Sequence, residues 1–162
     1  MRRWFILGVV LALLGAPGAQ ATGLDLIAPV DGPIARHFEP PPTPYSAGHR
    51  GIDYAAPQGR DVVASAPGSV AFAGQVGGDL FVSIDHDGGY RTTYSYLSAV
   101  LVRAGQAVTQ GDLIARSGEG HGDDLEPELH FGLRLDGEYL DPEPMLLSSM
   151  RRNLWRVVYL TA

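Results

Sequence analysis

His49 and Asp53 stand four residues apart in Gly48-His49-Arg50-Gly51-Ile52-Asp53, and His130 follows some eighty residues later inside Glu128-Leu129-His130-Phe131-Gly132-Leu133. Two imidazoles and a carboxylate make a three-ligand zinc site whose fourth tetrahedral position stays open to water, as in catalytic and not in closed structural sites. The chain has no cysteine, so thiolate ligands are ruled out. An open site of this kind lowers the pKa of water toward neutrality and polarises a carbonyl, which is the chemistry of hydrolysis.

The elements that must position these side chains read as strands. Glycine and proline punctuate short apolar runs at intervals of about ten residues, the pattern of an all-β sandwich or barrel. Strands are predicted over 61–66, 69–75, 80–85, 90–97, 113–117 and 128–135. Ala66-Pro67-Gly68, Gly77-Gly78-Asp79, Asp87-Gly88-Gly89 and Asp136-Gly137 supply tight turns between them. The proline-rich segment 40–44 lacks amide donors and is expected as a loop on one rim. Residues two apart in a strand share a face, so Glu128 and His130 should point together into a cleft while Leu129 and Phe131 enter the opposite layer. Gly48, Gly51 and the nearby prolines place His49 and Asp53 in a loop or at the start of a strand.

The ends and the charge say where such a protein works. Arg2 and Arg3 precede an apolar stretch, small residues and the pattern Ala19-Gln20-Ala21, the layout of a secretory signal peptide over 1–21 with cleavage after Ala21. Residues 22–146 then form one domain, and 147–162 a tail whose Leu154, Trp155, Val157 and Tyr159 pack on it. Without the leader, ten arginines face eighteen acidic residues, a net charge of about −8. That balance excludes nucleic acid and anionic lipid as partners. The expectation is a secreted or periplasmic, cell-envelope protein that is monomeric and free of the membrane after cleavage.

The ordered segments G-H-R-G-I-D-Y-A-A-P, V-V-A-S-A-P-G-S-V-A-F-A-G, V-R-A-G-Q-A-V-T-Q-G-D-L-I-A, L-H-F-G-L-R and Y-L-D-P resemble the lysostaphin/LytM-type zinc metallopeptidases of bacterial cell walls across residues 29–146. The resemblance implies a compact antiparallel β-sandwich or barrel-like domain with a duplicated hybrid motif and a groove. It also implies one Zn2+ ion and cleavage of peptide bonds in the stem or cross-bridge of peptidoglycan. Carried over by position, His49, Asp53 and His130 match the family's metal ligands.

Two positions depart from the family. Its ligand histidine is usually preceded by another in H-x-H, and a further one stands in Y-x-H-L; here those places hold Glu128 and Tyr96. A carboxylate beside the metal can serve as general base and a tyrosine hydroxyl can donate to an oxyanion. His121, between two glycines, is a further candidate for the vacated position. The catalytic set is therefore read as Glu128, Tyr96 and His121. A non-catalytic member that binds wall peptide or regulates another hydrolase is the alternative. The spacing V-x-x-G-x-x-V-x-x-G over 102–111 also resembles lipoyl-like carrier domains, but the chain has no lysine to modify and carries an export signal. His86, before a turn, is expected at the surface, and His37 on the groove rim or the surface.

Overall fold

The computed structural model describes residues 23–43, 45–120 and 128–147; the expected leader, His121 and the tail beyond Leu147 lie outside the described residues. Along the chain run β1 (Ile34–Arg36), β2 (Ile52–Ala55), β3 (Asp61–Val63), β4 (Gly68–Val76), β5 (Asp79–Asp85), β6 (Tyr90–Val100), β7 (Ala107–Val108), β8 (Leu113–Ser117), β9 (Glu128–Leu135) and β10 (Glu138–Leu140). Every ladder between them is antiparallel. The fold is all-β, with a 3₁₀ turn at Asp87–Gly89 and a helical stretch at 143–147 as its helical parts among the described residues. No helix there is long and apolar enough to cross a membrane.

All six predicted strands form, and β8 and β9 have the predicted bounds. β1, β2, β7 and β10 were not predicted; they are two to four residues long, too short to display an alternating pattern.

The sheet runs β1-β2-β9-β6-β5-β4-β7, with β10 on β9, and β8 joining β6 to β3. β6 organises this branching. One of its edges pairs with β5, while the other pairs with β9 from Tyr90 to Ser95 and then with β8 from Leu97 onward. Tyr96 falls between the two partners. On the β5 side it is also unmatched, because Phe81 faces Ser95 and Leu80 faces Leu97. Tyr96 is thus a bulge, and its φ of 60° is a left-handed conformation that a non-glycine residue rarely adopts.

Alternation builds the two faces. Val82, Ile84, Thr92, Tyr94, Leu129, Phe131 and Leu133 are fully buried on the inner face. The Tyr94 and Phe131 rings meet at 5.4 Å between centroids, so β6 and β9 are locked together through their core side chains. Truncating Phe131 to alanine should cost about 3–5 kcal/mol. On the other face Phe81, Ser83, Thr93, Ser95, His130, Gly132 and Arg134 line a groove of about 390 Å³.

His86 corrects the sequence reading. It is buried, with Nδ1 2.8 Å from the Pro67 carbonyl and Nε2 2.8 Å from the Thr92 hydroxyl, whose oxygen is in turn 3.2 Å from the Tyr94 hydroxyl. The carbonyl can only accept, so Nδ1 carries a proton and donates it to Pro67, while Nε2 is held by the Thr92 hydroxyl. The hydrogen bonds compensate the burial that a turn-proximal histidine would otherwise avoid.

Burial holds the His86 pKa below its ordinary 6.5, against the Pro67 carbonyl and the Asp85 and Asp87 charges that raise it. Below pH 6.5 the unfolded chain therefore binds a proton that the folded ring resists, and stability falls as pH drops until the folded ring titrates. Denaturant midpoints for wild type and His86→Gln should diverge accordingly: wild type loses up to about 1.4 kcal/mol more per pH unit in that window, while above it the gap stays constant.

Candidate metal centre

The site begins with the register between β2 and β9. Asp53, the second residue of β2, is the direct cross-strand partner of His130. His49 lies just before β2 and is fixed by a single bridge to Glu39, with reciprocal amide bonds of 2.8 and 2.9 Å. The three side chains converge: His130 Nδ1 is 2.7 Å from Asp53 Oδ1, His49 Nε2 is 3.0 Å from Asp53 Oδ2, and the two ring nitrogens are 3.2 Å apart. Asp53 and His49 are buried and His130 is partly open to the groove.

A backbone contact decides the tautomer of His49. Its Nδ1 lies 2.7 Å from the His37 carbonyl, which can only accept, so the ring proton sits on Nδ1 and Nε2 presents a lone pair to Asp53 and His130. A lone pair facing a carboxylate oxygen at 3.0 Å is repulsive unless a cation, proton or metal ion, stands among them. Three donor atoms within 4.8 Å of one another suit a metal ion, and two imidazoles with one carboxylate suit zinc. The His37 carbonyl then acts as the outer partner that orients a ligating imidazole.

Burial on its own would raise the Asp53 pKa, but the hydrogen bonds and charges of His130 and His49 together outweigh it and hold the carboxyl below its ordinary range. The group is ionised, as a ligand must be.

Gly51 makes the room that His130 needs. A Cβ at this position would overlap the Phe131 carbonyl and lie 2.8 Å from both Cε1 and Nε2 of the His130 ring. The glycine in G-H-R-G-I-D is therefore a packing requirement of the second histidine, which the sequence separates from it by nearly eighty residues.

Glu128 stands two residues before His130, half-buried, opposite Ala55 of β2. Tyr96 reaches the same place from the bulge in β6, its ring 6.2 Å from that of His130 in an edge-to-face arrangement. Burial and the charges of Asp79, Asp53 and Glu128 raise the Tyr96 pKa, so its hydroxyl keeps its proton. The structure thus brings His49, Asp53, His130, Tyr96 and Glu128 together, and His121 lies outside the described residues. Sequence reasoning missed the His37 carbonyl, the role of Gly51 and the bulge at Tyr96. None of the three is signalled by a side-chain type.

Comparison with known proteins gives a consistent result. The profile of Peptidase family M23 matches residues 47–142, which include all five site residues. An uncharacterised protein of Mycobacterium tuberculosis is 35% identical over 145 residues, covering 85% of this chain and 58% of that protein. The DD-carboxypeptidase/endopeptidase Mpg of Neisseria meningitidis serogroup B is 41% identical over 100 residues, covering 61% of this chain and 23% of Mpg. The chain therefore spans little more than half the length of its mycobacterial relative and less than a quarter of Mpg. Among solved structures, the antimicrobial peptidase lysostaphin from Staphylococcus simulans superposes with a TM-score of 0.67 at 26% identity, over 78% of this chain and 54% of lysostaphin.

Gly51→Ala should displace the His130 imidazole and weaken metal binding by roughly 10–100-fold. Competition with a chromogenic zinc chelator measures this directly; unchanged affinity would show that the ring tolerates the methyl group.

Proposed function

Since the chain belongs to peptidase family M23, we propose that it is an exported zinc metallopeptidase that hydrolyses peptide bonds in bacterial peptidoglycan. The observation that carries this reading is the convergence of the His49, Asp53 and His130 donor atoms with the proton of His49 locked on the far side of its ring. Export is supported by the leader pattern over 1–21, and the substrate class by the activity named for Mpg.

His49 Nε2, an Asp53 carboxylate oxygen and His130 Nδ1 would hold the zinc ion. Bound there, zinc supplies Lewis acidity toward a peptide carbonyl and toward water. Glu128 shares the groove face with His130 and takes the proton released as water attacks the carbonyl carbon. Tyr96, protonated because its pKa is raised, donates its hydroxyl to the oxygen that gains negative charge. As the C–N bond breaks, Glu128 returns the proton to the leaving amine, leaving one carboxyl and one amino product. The bulge at Tyr96 fits this role, since strained backbone at a site aims a side chain that regular strand geometry would send elsewhere.

The alternative, a wall-peptide binder without catalysis, draws on the replacement of both auxiliary histidines by Glu128 and Tyr96. Metal content of the purified mature protein, measured with release of soluble fragments from peptidoglycan before and after chelation, separates the two. Stoichiometric zinc with chelator-sensitive release is expected; zinc without release supports the binder.

Glu128→Gln should retain zinc and lose about 10²–10⁴-fold in turnover, whereas His130→Ala should lose both metal and activity. Full activity in Glu128→Gln would remove this residue from the mechanism.

A further inference from the structure

One end of the groove beside the metal centre gathers arginines in a chain of net negative charge. The protein has eighteen acidic and twelve basic residues, yet away from the metal end, where Asp53 and Glu128 stand, three arginines line the groove. Arg91 is already neutralised, with Nε and an Nη of its guanidinium 2.5 and 3.0 Å from the two Asp85 oxygens. Arg134 is not: among the described residues no carboxylate pairs with it, and its Nε is buried without a hydrogen-bond partner.

Strand register fixes this placement. Arg134 is the direct cross-strand partner of Arg91, whose charge Asp85 compensates, on one side and of Tyr139 on the other. Arg50 also lines this end of the groove. Its guanidinium carbon is 5.9 Å from the centre of the Tyr139 ring, and that of Arg134 is 4.1 Å from the same ring. The tyrosine hydroxyl also accepts a hydrogen bond from Arg134, and Arg50 is steadied by donating to the Ser46 carbonyl at 3.1 Å. Two guanidinium groups gathered on one aromatic ring are pre-organised for a planar anion, because the arginine fork matches a carboxylate in two parallel hydrogen bonds.

We propose that Arg134, with Arg50 and Tyr139, forms a carboxylate-binding subsite, so that the substrates are peptides bearing a free acid on one side of the scissile bond. This deepens the peptidase reading and rests on it. His130, Gly132 and Arg134 occupy successive groove-facing positions of β9, and Gly132 leaves the floor between them without a side chain. The backbone from ligand to arginine spans roughly 13 Å, so a carboxylate about four residues along an extended peptide can reach the guanidinium while the peptide bond lies at the metal centre. Ser83, Thr93 and Ser95 on the neighbouring strands give that peptide a small, hydroxyl-bearing floor.

The test uses the full mature chain as purified and two probes: a soluble peptidoglycan-derived peptide with free carboxylates, and the same peptide with those carboxylates amidated. Calorimetric titration should show the acid binding roughly tenfold or more tighter than the amide. Arg134→Gln should erase the difference and Arg134→Lys restore part of it. Equal binding of the two peptides, binding of neither, or discrimination that survives Arg134→Gln would overturn the subsite. Should Arg134→Gln fail to fold, Tyr139→Phe decides, since loss of the anchoring hydroxyl should lower discrimination and an unchanged preference overturns the proposal. Mass spectrometry of the titrated peptides reports cleavage separately. Discrimination without cleavage would refute the peptidase reading while leaving the subsite standing.

Discussion

Asp53 is the residue on which the site depends. A buried carboxylate in a β-strand is expensive to ionise unless its environment supplies compensating positive charge or hydrogen-bond donors. Here the β2–β9 register puts His130 directly across from it, and the bridge between Glu39 and His49 delivers the second imidazole. A slip of that register by one residue would turn His130 into the core and Phe131 into the groove. The buried side chains of Leu129, Phe131 and Leu133 therefore define the metal centre as much as the ligands do, because they leave β9 only one way to lie.

The second constraint is the branching of β6. A straight strand of eleven residues could pair with β9 or with β8 along one edge, but not hand over from one to the other without a local change of direction. Tyr96 absorbs that change. Gly118 allows the close approach this needs, because a Cβ there would overlap the Tyr96 carbonyl. The residue that departs most from regular backbone geometry is consequently also the one that overlooks His130. Fold topology and site geometry meet at a single left-handed residue.

Much of this was legible from side-chain pattern. The run from Glu128 to Leu135 alternates clearly enough to give both the strand and the side on which His130 faces, and the G-H-R-G-I-D segment carries the other two ligands. What escaped was set by backbone or by distant partners. β1, β2, β7 and β10 exist because longer strands offer them an edge, and no window of two to four residues encodes that. His86 looked like a turn histidine because its flanks, Asp85 and Asp87, are polar; its burial depends on the Pro67 carbonyl and Thr92, which the fold brings in from other elements. The orientation of His49 likewise rests on the main-chain carbonyl of His37, and a carbonyl is the same at every residue.

Glu128 and Tyr96, which stand beside the candidate metal site, acquire a physical sense from these surroundings. An imidazole in the place of Tyr96 would sit near Asp53 and Glu128 and could change its own charge between pH 5 and 8, so its ability to donate would vary across that range. The tyrosine hydroxyl in the same field is pushed away from ionisation by burial and by three carboxylates, Asp79, Asp53 and Glu128. Acidic neighbours that would make an imidazole a stronger base make a phenol a more persistent donor. Glu128 and Tyr96 are therefore coupled: the Glu128 charge adds to burial and to the charges of Asp79 and Asp53 in keeping the hydroxyl protonated, so replacing one changes the surroundings of the other.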